Sequence, residues 1–127
     1  MFSHVTIGSN DLGVAKPFYD ALLAPLGLVR RMDFPNGVGY GQAGGRPQLW
    51  VVSPIDRKSA TAGNGITIGL DAADRPAVDA AHKAAMAAGA RDEGAPGIRA
   101  HYHPNYYGAY LRDPDGNKIC IVCHKPG

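Results

Sequence analysis

The order of residue types at the start of the chain begins again 63 positions later. That shift carries His4 onto Thr67, Asp11 onto Asp74 and Leu23 onto Met86. A chain that restarts once folds as two copies of one supersecondary unit. Two copies are too few for a stacked array, so the expectation is a duplicated domain.

Each copy reads as strand, helix, strand, strand, strand. Residues 2–8 alternate, with Val5 and Ile7 on one side and His4, Thr6 and Gly8 on the other. Asp11 is placed to cap a helix, and Leu12, Ala15, Phe18, Tyr19, Leu22 and Leu23 then recur at helical spacing. Pro17 falls inside that pattern and predicts a helix that starts or bends near it. Gly27 ends it. Strands are expected over 28–34, 38–42 and 47–53, separated by turns at 35–37 and 44–45. The second copy opens with a strand over 65–70, where Ile66, Ile68 and Leu70 share a face. Asp74 caps an Ala-rich helix with Pro76 in its first turn, and Gly89 stops it. A short strand over 90–93, an irregular stretch over 94–105 and a hairpin of strands 106–112 and 117–124 complete it.

These elements predict an α+β fold: duplicated βαβββ units forming curved mixed sheets around a central cavity, with helices outside. One domain over 1–127 is expected, with half one at 1–54, a connection at 55–63 and half two at 64–127. The less apolar strand faces, carrying His4, Thr6, Thr67 and Gly69, would line the hollow.

Charge and cysteine usage narrow the classes. Lys and Arg number 13 against 11 Asp and Glu, and they are scattered, so no basic stripe tracks phosphates and nucleic acid is not an expected partner. No apolar run approaches the ~20 residues that span a bilayer, so no membrane partner is expected. The first eleven residues lack the basic start and apolar stretch of a secretory signal. Two cysteines exclude a disulfide scaffold, and the cytoplasm is the expected location.

Three motifs fail on context. Residues 39–44 fit a dinucleotide fingerprint, but a strand follows where a helix should open. Cys120 and Cys123 are three apart in a strand and point to opposite faces, so they neither pair nor share a metal. Asp113, Asp115 and Asn117 resemble the start of a calcium loop, but Lys118 and His124 occupy its sixth and twelfth positions.

Three other features carry a resemblance. They are Ser3-His4-Val5-Thr6-Ile7 with Asp11 seven residues after His4 and Phe18-Tyr19 in the following helix; the repeated βαβββ unit; and Asp113-Pro114-Asp115-Gly116-Asn117 leading into the last strand. Together they resemble the vicinal oxygen chelate superfamily of glyoxalases, bleomycin-resistance proteins and extradiol dioxygenases, over essentially the whole chain. The resemblance implies a pocket for a small oxygen-bearing organic ligand, one divalent metal held by His, Glu or Gln, and commonly a homodimer. It does not imply one activity, because lyases, isomerases, oxygenases and metal-free binders share the fold.

Carried over residue by residue, the metal set is incomplete. His4 fits. Thr67 stands where His is usual, Cys120 where Glu is usual, and Trp50, or Gln48 with a shift, in the closing strand of half one. His4 and Cys120 are thus the candidate ligands, two where a catalytic zinc usually has three from the protein. Trp50, Thr67, His103, Tyr106 and Tyr107 are the candidate ligand-contacting residues. The last three belong to the run His101-Tyr102-His103-Pro104-Asn105-Tyr106-Tyr107, which joins polar aromatics and imidazoles beside a long loop. The functional expectation is a glyoxalase- or bleomycin-resistance-like protein that binds such a ligand with its inherited metal site degraded. The alternative is a metal-dependent lyase, isomerase or dioxygenase with an atypical His/Cys site.

Overall fold

A computed structural model describes residues 1–127. Half one comprises β1 (Val5–Gly8), α1 (Leu12–Leu23), a 3-10 turn (Ala24–Leu26), β2 (Leu28–Phe34), β3 (Gly37–Gln42) and β4 (Leu49–Val52). Half two comprises β5 (Ile68–Asp71), α2 (Arg75–Ala87), β6 (Arg91–Ile98), β7 (Tyr107–Arg112) and β8 (Lys118–Cys123). Each half forms a mixed four-stranded sheet, ordered β1-β4-β3-β2 and β5-β8-β7-β6. β1 pairs parallel with β4 and β5 with β8, while the other pairs are antiparallel. The 63-residue shift carries Val5–Gly8 onto Ile68–Asp71, and Asp11 and Asp74 cap both helices by accepting from the Val14 and Ala77 amides.

The helices pack on one face of the sheets and against each other, so one core joins the halves. Phe18, Tyr19, Leu22 and Leu23 of α1 meet Val38 and Val51 beneath them, and the same cluster continues through Val78, Ala81, Leu111, Ile119 and Ile121. Burying each large side chain contributes about 1.5–3 kcal/mol. That burial explains why α1 starts at Leu12 and runs through Pro17, at the cost of the bond Pro17 cannot donate to the Gly13 carbonyl.

Three expected strands differ most in their bounds: those expected over 2–8 and 65–70 begin only at Val5 and Ile68, which leaves Ile66 outside the sheet and exposed, and a third is longer. The strand expected to stop at Glu93 continues to Ile98, so the irregular stretch is shorter than predicted. Two register breaks interrupt its pairing with β7, at Asp92/Gly94 and Gly94/Gly97. Gly94 has φ +154°, and the Arg99 guanidinium donates to the Ala95 and Gly97 carbonyls. Glycines at the breaks disguise the strand, because bulges erase its alternation.

Candidate functional site

The faces turned away from the helices are built differently in the two halves. Thr6 pairs with Trp50 and Trp50 with Gly39; the equivalent positions in half two are Gly69, Cys120 and Tyr110. On half one, a Cβ at Gly39 would come within 3.0 Å of the Trp50 ring, so the indole lies flat on the strand. Phe34 stacks on it with ring centroids 6.3 Å apart and planes 8° apart. That face fills itself with aromatic surface.

Half two keeps an open cavity of about 480 Å³, lined by Thr67, Gly69, Tyr102, His103, Tyr106, Tyr110, Lys118, Cys120, Val122 and His124. That volume lies within the usual range for small-molecule sites. Its floor is β8, where Ile119, Ile121 and Cys123 face the core, leaving Cys120 and Val122 for the other side. The wall is the loop over 99–106. The Arg99 amide donates to the Tyr106 carbonyl (2.8 Å), and the Tyr106 amide to the His103 carbonyl (3.2 Å), so the loop closes on itself. Tyr106 folds back over β7, and a Cβ at Gly108 would come within 2.8 Å of its ring, an approach only glycine permits.

Three polar groups meet at the floor. The Tyr106 hydroxyl is 2.7 Å from the Tyr110 hydroxyl and 3.3 Å from Cys120 Sγ. Burial pushes both phenols above the ordinary tyrosine pKa. For Tyr106 the Cys120 thiol adds to the shift, and for Tyr110 the bond to Tyr106 does. Both therefore keep their protons at neutral pH, so each has one hydrogen to donate. Lys118 and Arg99 sit over the Tyr110 ring, 5.6 and 5.7 Å from its centroid.

The rim carries imidazoles in a defined order. The Asn105 amide donates to His103 Nδ1 (3.1 Å), which assigns the His103 proton to Nε2. That nitrogen lies 2.8 Å from His124 Nδ1, so His103 donates and ties the loop to the chain just after β8. Tyr102 and Tyr106 pack their rings 4.8 Å apart beside them.

The structure thus brings together Thr67, His103, Tyr106 and Cys120. It does not bring the others to them. Tyr107 faces the opposite side of β7, where its hydroxyl donates to Asp79 on α2 at 2.5 Å and Arg75 covers its ring. Trp50 lies on half one. His4 precedes β1, is exposed, accepts from or donates to Ser3 Oγ at 2.9 Å, and lines a second cavity of about 340 Å³ where the halves meet, with Gln42, Gln48 and Asp71. His4 and Cys120 therefore line different cavities. No group of three or more His, Cys, Asp or Glu side chains converges within the chain, so its donors do not fit the metal centre that the fold implies. Both cysteines are free, and no helix is long and apolar enough to cross a membrane.

Three polar cavity residues escaped the sequence reading, Tyr110, Lys118 and His124, and so did the apolar Val122. Period-two alternation could have found them. Tyr110 shares a strand face with Tyr106, and Lys118 and His124 stand at even steps from Cys120.

The sequence profile of a family described as glyoxalase-like domain matches residues 4–122. A glyoxalase/bleomycin resistance protein from Albidiferax ferrireducens is 43% identical, with 99% of each chain covered and a TM-score of 0.85. A glyoxalase/bleomycin resistance protein/dioxygenase family enzyme from Burkholderia phytofirmans is 23% identical over 97% of this chain and 98% of its own, at TM-score 0.73. Lactoylglutathione lyase from Agrobacterium tumefaciens is 22% identical over 97% and 92%, at TM-score 0.67. These last two share the fold. No curated protein matches the chain.

Proposed function

Because the chain belongs to the glyoxalase-like domain family, within the vicinal oxygen chelate superfamily, we propose that it binds a small oxygen-bearing organic molecule in the cavity of half two. The single observation that carries this reading is the cluster of Tyr106, Tyr110 and Cys120 on the floor of a cavity of about 480 Å³. Its phenols would donate to a ligand oxygen, its aromatic wall would cover an apolar body, and the loop over 99–106 would set access.

On this reading the inherited metal site is degraded and binding needs no ion. The alternative, a metal-dependent lyase, isomerase or dioxygenase using His4 and Cys120, requires two residues that line different cavities to share one metal. Thermal-shift screening with small aromatic ketones and acids, with and without EDTA, tests the choice. The reading expects ligand-dependent stabilisation that EDTA leaves unchanged and that Tyr106→Phe weakens. Stoichiometric metal in untagged protein, with loss of ligand binding on its removal, would support the alternative.

A homodimer completes the proposal. Val29, Met32 and Phe34 on the open face of half one are 45, 47 and 48% exposed, an apolar strip that a second copy would cover. Sedimentation of the wild type and of Met32→Glu tests it, the charge being expected to shift dimer to monomer. The buried free thiols suit a reducing location such as the cytoplasm.

A further inference from the structure

The charge and donor inventory of the half-two cavity singles out one class of ligand. The lining contains no carboxylate. It contains one side chain with a permanent charge, Lys118, whose ammonium forms no ion pair within the chain. The acids nearest in sequence are taken, Asp113 by Tyr19 and Asn117 and Asp115 by the Asn10 amide, Glu93 on β6 is paired with Arg112 (3.1 Å), and Asp71 on β5 lines the seam cavity instead. Lys118 is half-buried, because Tyr110 lies beneath its ammonium.

The floor adds donors without matching acceptors. Tyr106, Tyr110 and Cys120 carry one hydrogen each, and two contacts join them. Two contacts consume two hydrogens, so one O–H or S–H remains free to point into the cavity. Thr67 offers a further hydroxyl at the edge. The walls are planar and apolar on their faces at Tyr102 and Tyr106, and Val122 adds aliphatic surface.

We propose that the ligand of this cavity is an organic monoanion, a carboxylate on a planar apolar body, whose oxygens are held by Lys118 and the phenol pair while the body lies against Tyr102 and Tyr106. This deepens the function proposed above and rests on it. An unpaired cation in a partly desolvated site favours an anion over a neutral molecule of the same shape. The absence of any lining carboxylate removes the repulsion that would oppose it.

The test uses 2-naphthoate and its neutral isostere 2-naphthamide, titrated calorimetrically into the full chain at pH 7.5 and low salt. Naphthoate is expected to bind about tenfold tighter than naphthamide, the scale of one charge-assisted contact. Lys118→Met should bring the two to within about threefold, chiefly by weakening naphthoate, and Lys118→Arg should restore the preference. The site is read separately by the amide chemical shifts of Tyr106, Tyr110 and Cys120, which naphthoate should move. Equal affinity for the two probes in the wild type, or a preference that survives Lys118→Met, overturns the anion proposal and leaves the cavity reading standing. If neither probe binds or moves those shifts, the cavity reading falls with it.

Discussion

Tyr19 on α1 donates its hydroxyl to the Asp113 carboxylate in the turn before β8 at 2.5 Å, joining residues 94 positions apart. Asp113 also accepts from the Asp115 and Asn117 amides and from the Asn117 side chain, which in turn donates to the Gly8 carbonyl of half one. The turn motif that marks the family in the sequence is thus a knot between the halves. It fixes the start of β8, and so the height of Lys118 and Cys120 on the cavity floor.

Removing that hydroxyl tests the knot. Tyr19→Phe leaves the buried carboxylate one donor short, which costs about 2 kcal/mol for a bond to a charged group. Urea denaturation should show the midpoint shifted with the slope unchanged. An unchanged midpoint would mean that the Tyr19 hydroxyl adds nothing to the joint between the halves.

Alkaline pH should unfold the protein cooperatively. Burial pushes Tyr19 upward, with the Asp113 charge adding to it, and burial likewise raises Tyr40, which donates to Asp20. Their folded pKa values lie above the unfolded value of about 10, so the protonated form is the one the fold favours. Their contribution is complete below pH 10 and is lost as pH rises toward the folded values. Tyrosinate absorbance from these residues should therefore rise together with loss of far-ultraviolet circular dichroism. Ionisation that precedes the loss of dichroism would contradict the assignment.

Gly108→Ala should damage the cavity more than the fold. The new Cβ would sit 2.8 Å from the Tyr106 ring and displace the phenol from Tyr110 and Cys120. The expected loss of stability is about 1 kcal/mol, with ligand affinity falling about tenfold as one positioned hydrogen bond is lost. Calorimetry with chemical denaturation separates the two. Affinity that stays unchanged would show that Tyr106 does not position the ligand.

Much of the fold was legible because duplication and capping are local signals. Asp11 and Asp74 announced both helices, and the 63-residue shift announced β5 from β1. The site was less legible. Tyr106 and Tyr107 are equivalent by composition, and the sequence run offered both. Only the strand's orientation sends Tyr107 to Asp79 and Tyr106 over Gly108. Trp50 and Cys120 occupy matching positions in the two halves, yet Gly39 opposite Trp50 lets its indole lie flat on the strand, while Tyr110 opposite Cys120 supplies a polar wall. That difference depends on contacts across strands, which spacing along the chain does not encode.

The most direct test of the central claim, that ligand is held over the floor of half two, is amide chemical-shift mapping on titration with 2-naphthoate. The account predicts saturable shifts at Thr67, Tyr106, Tyr110, Cys120 and Val122, with His4, Gln42 and Gln48 at the seam unmoved. Shifts concentrated at the seam, with the half-two residues silent, would contradict it.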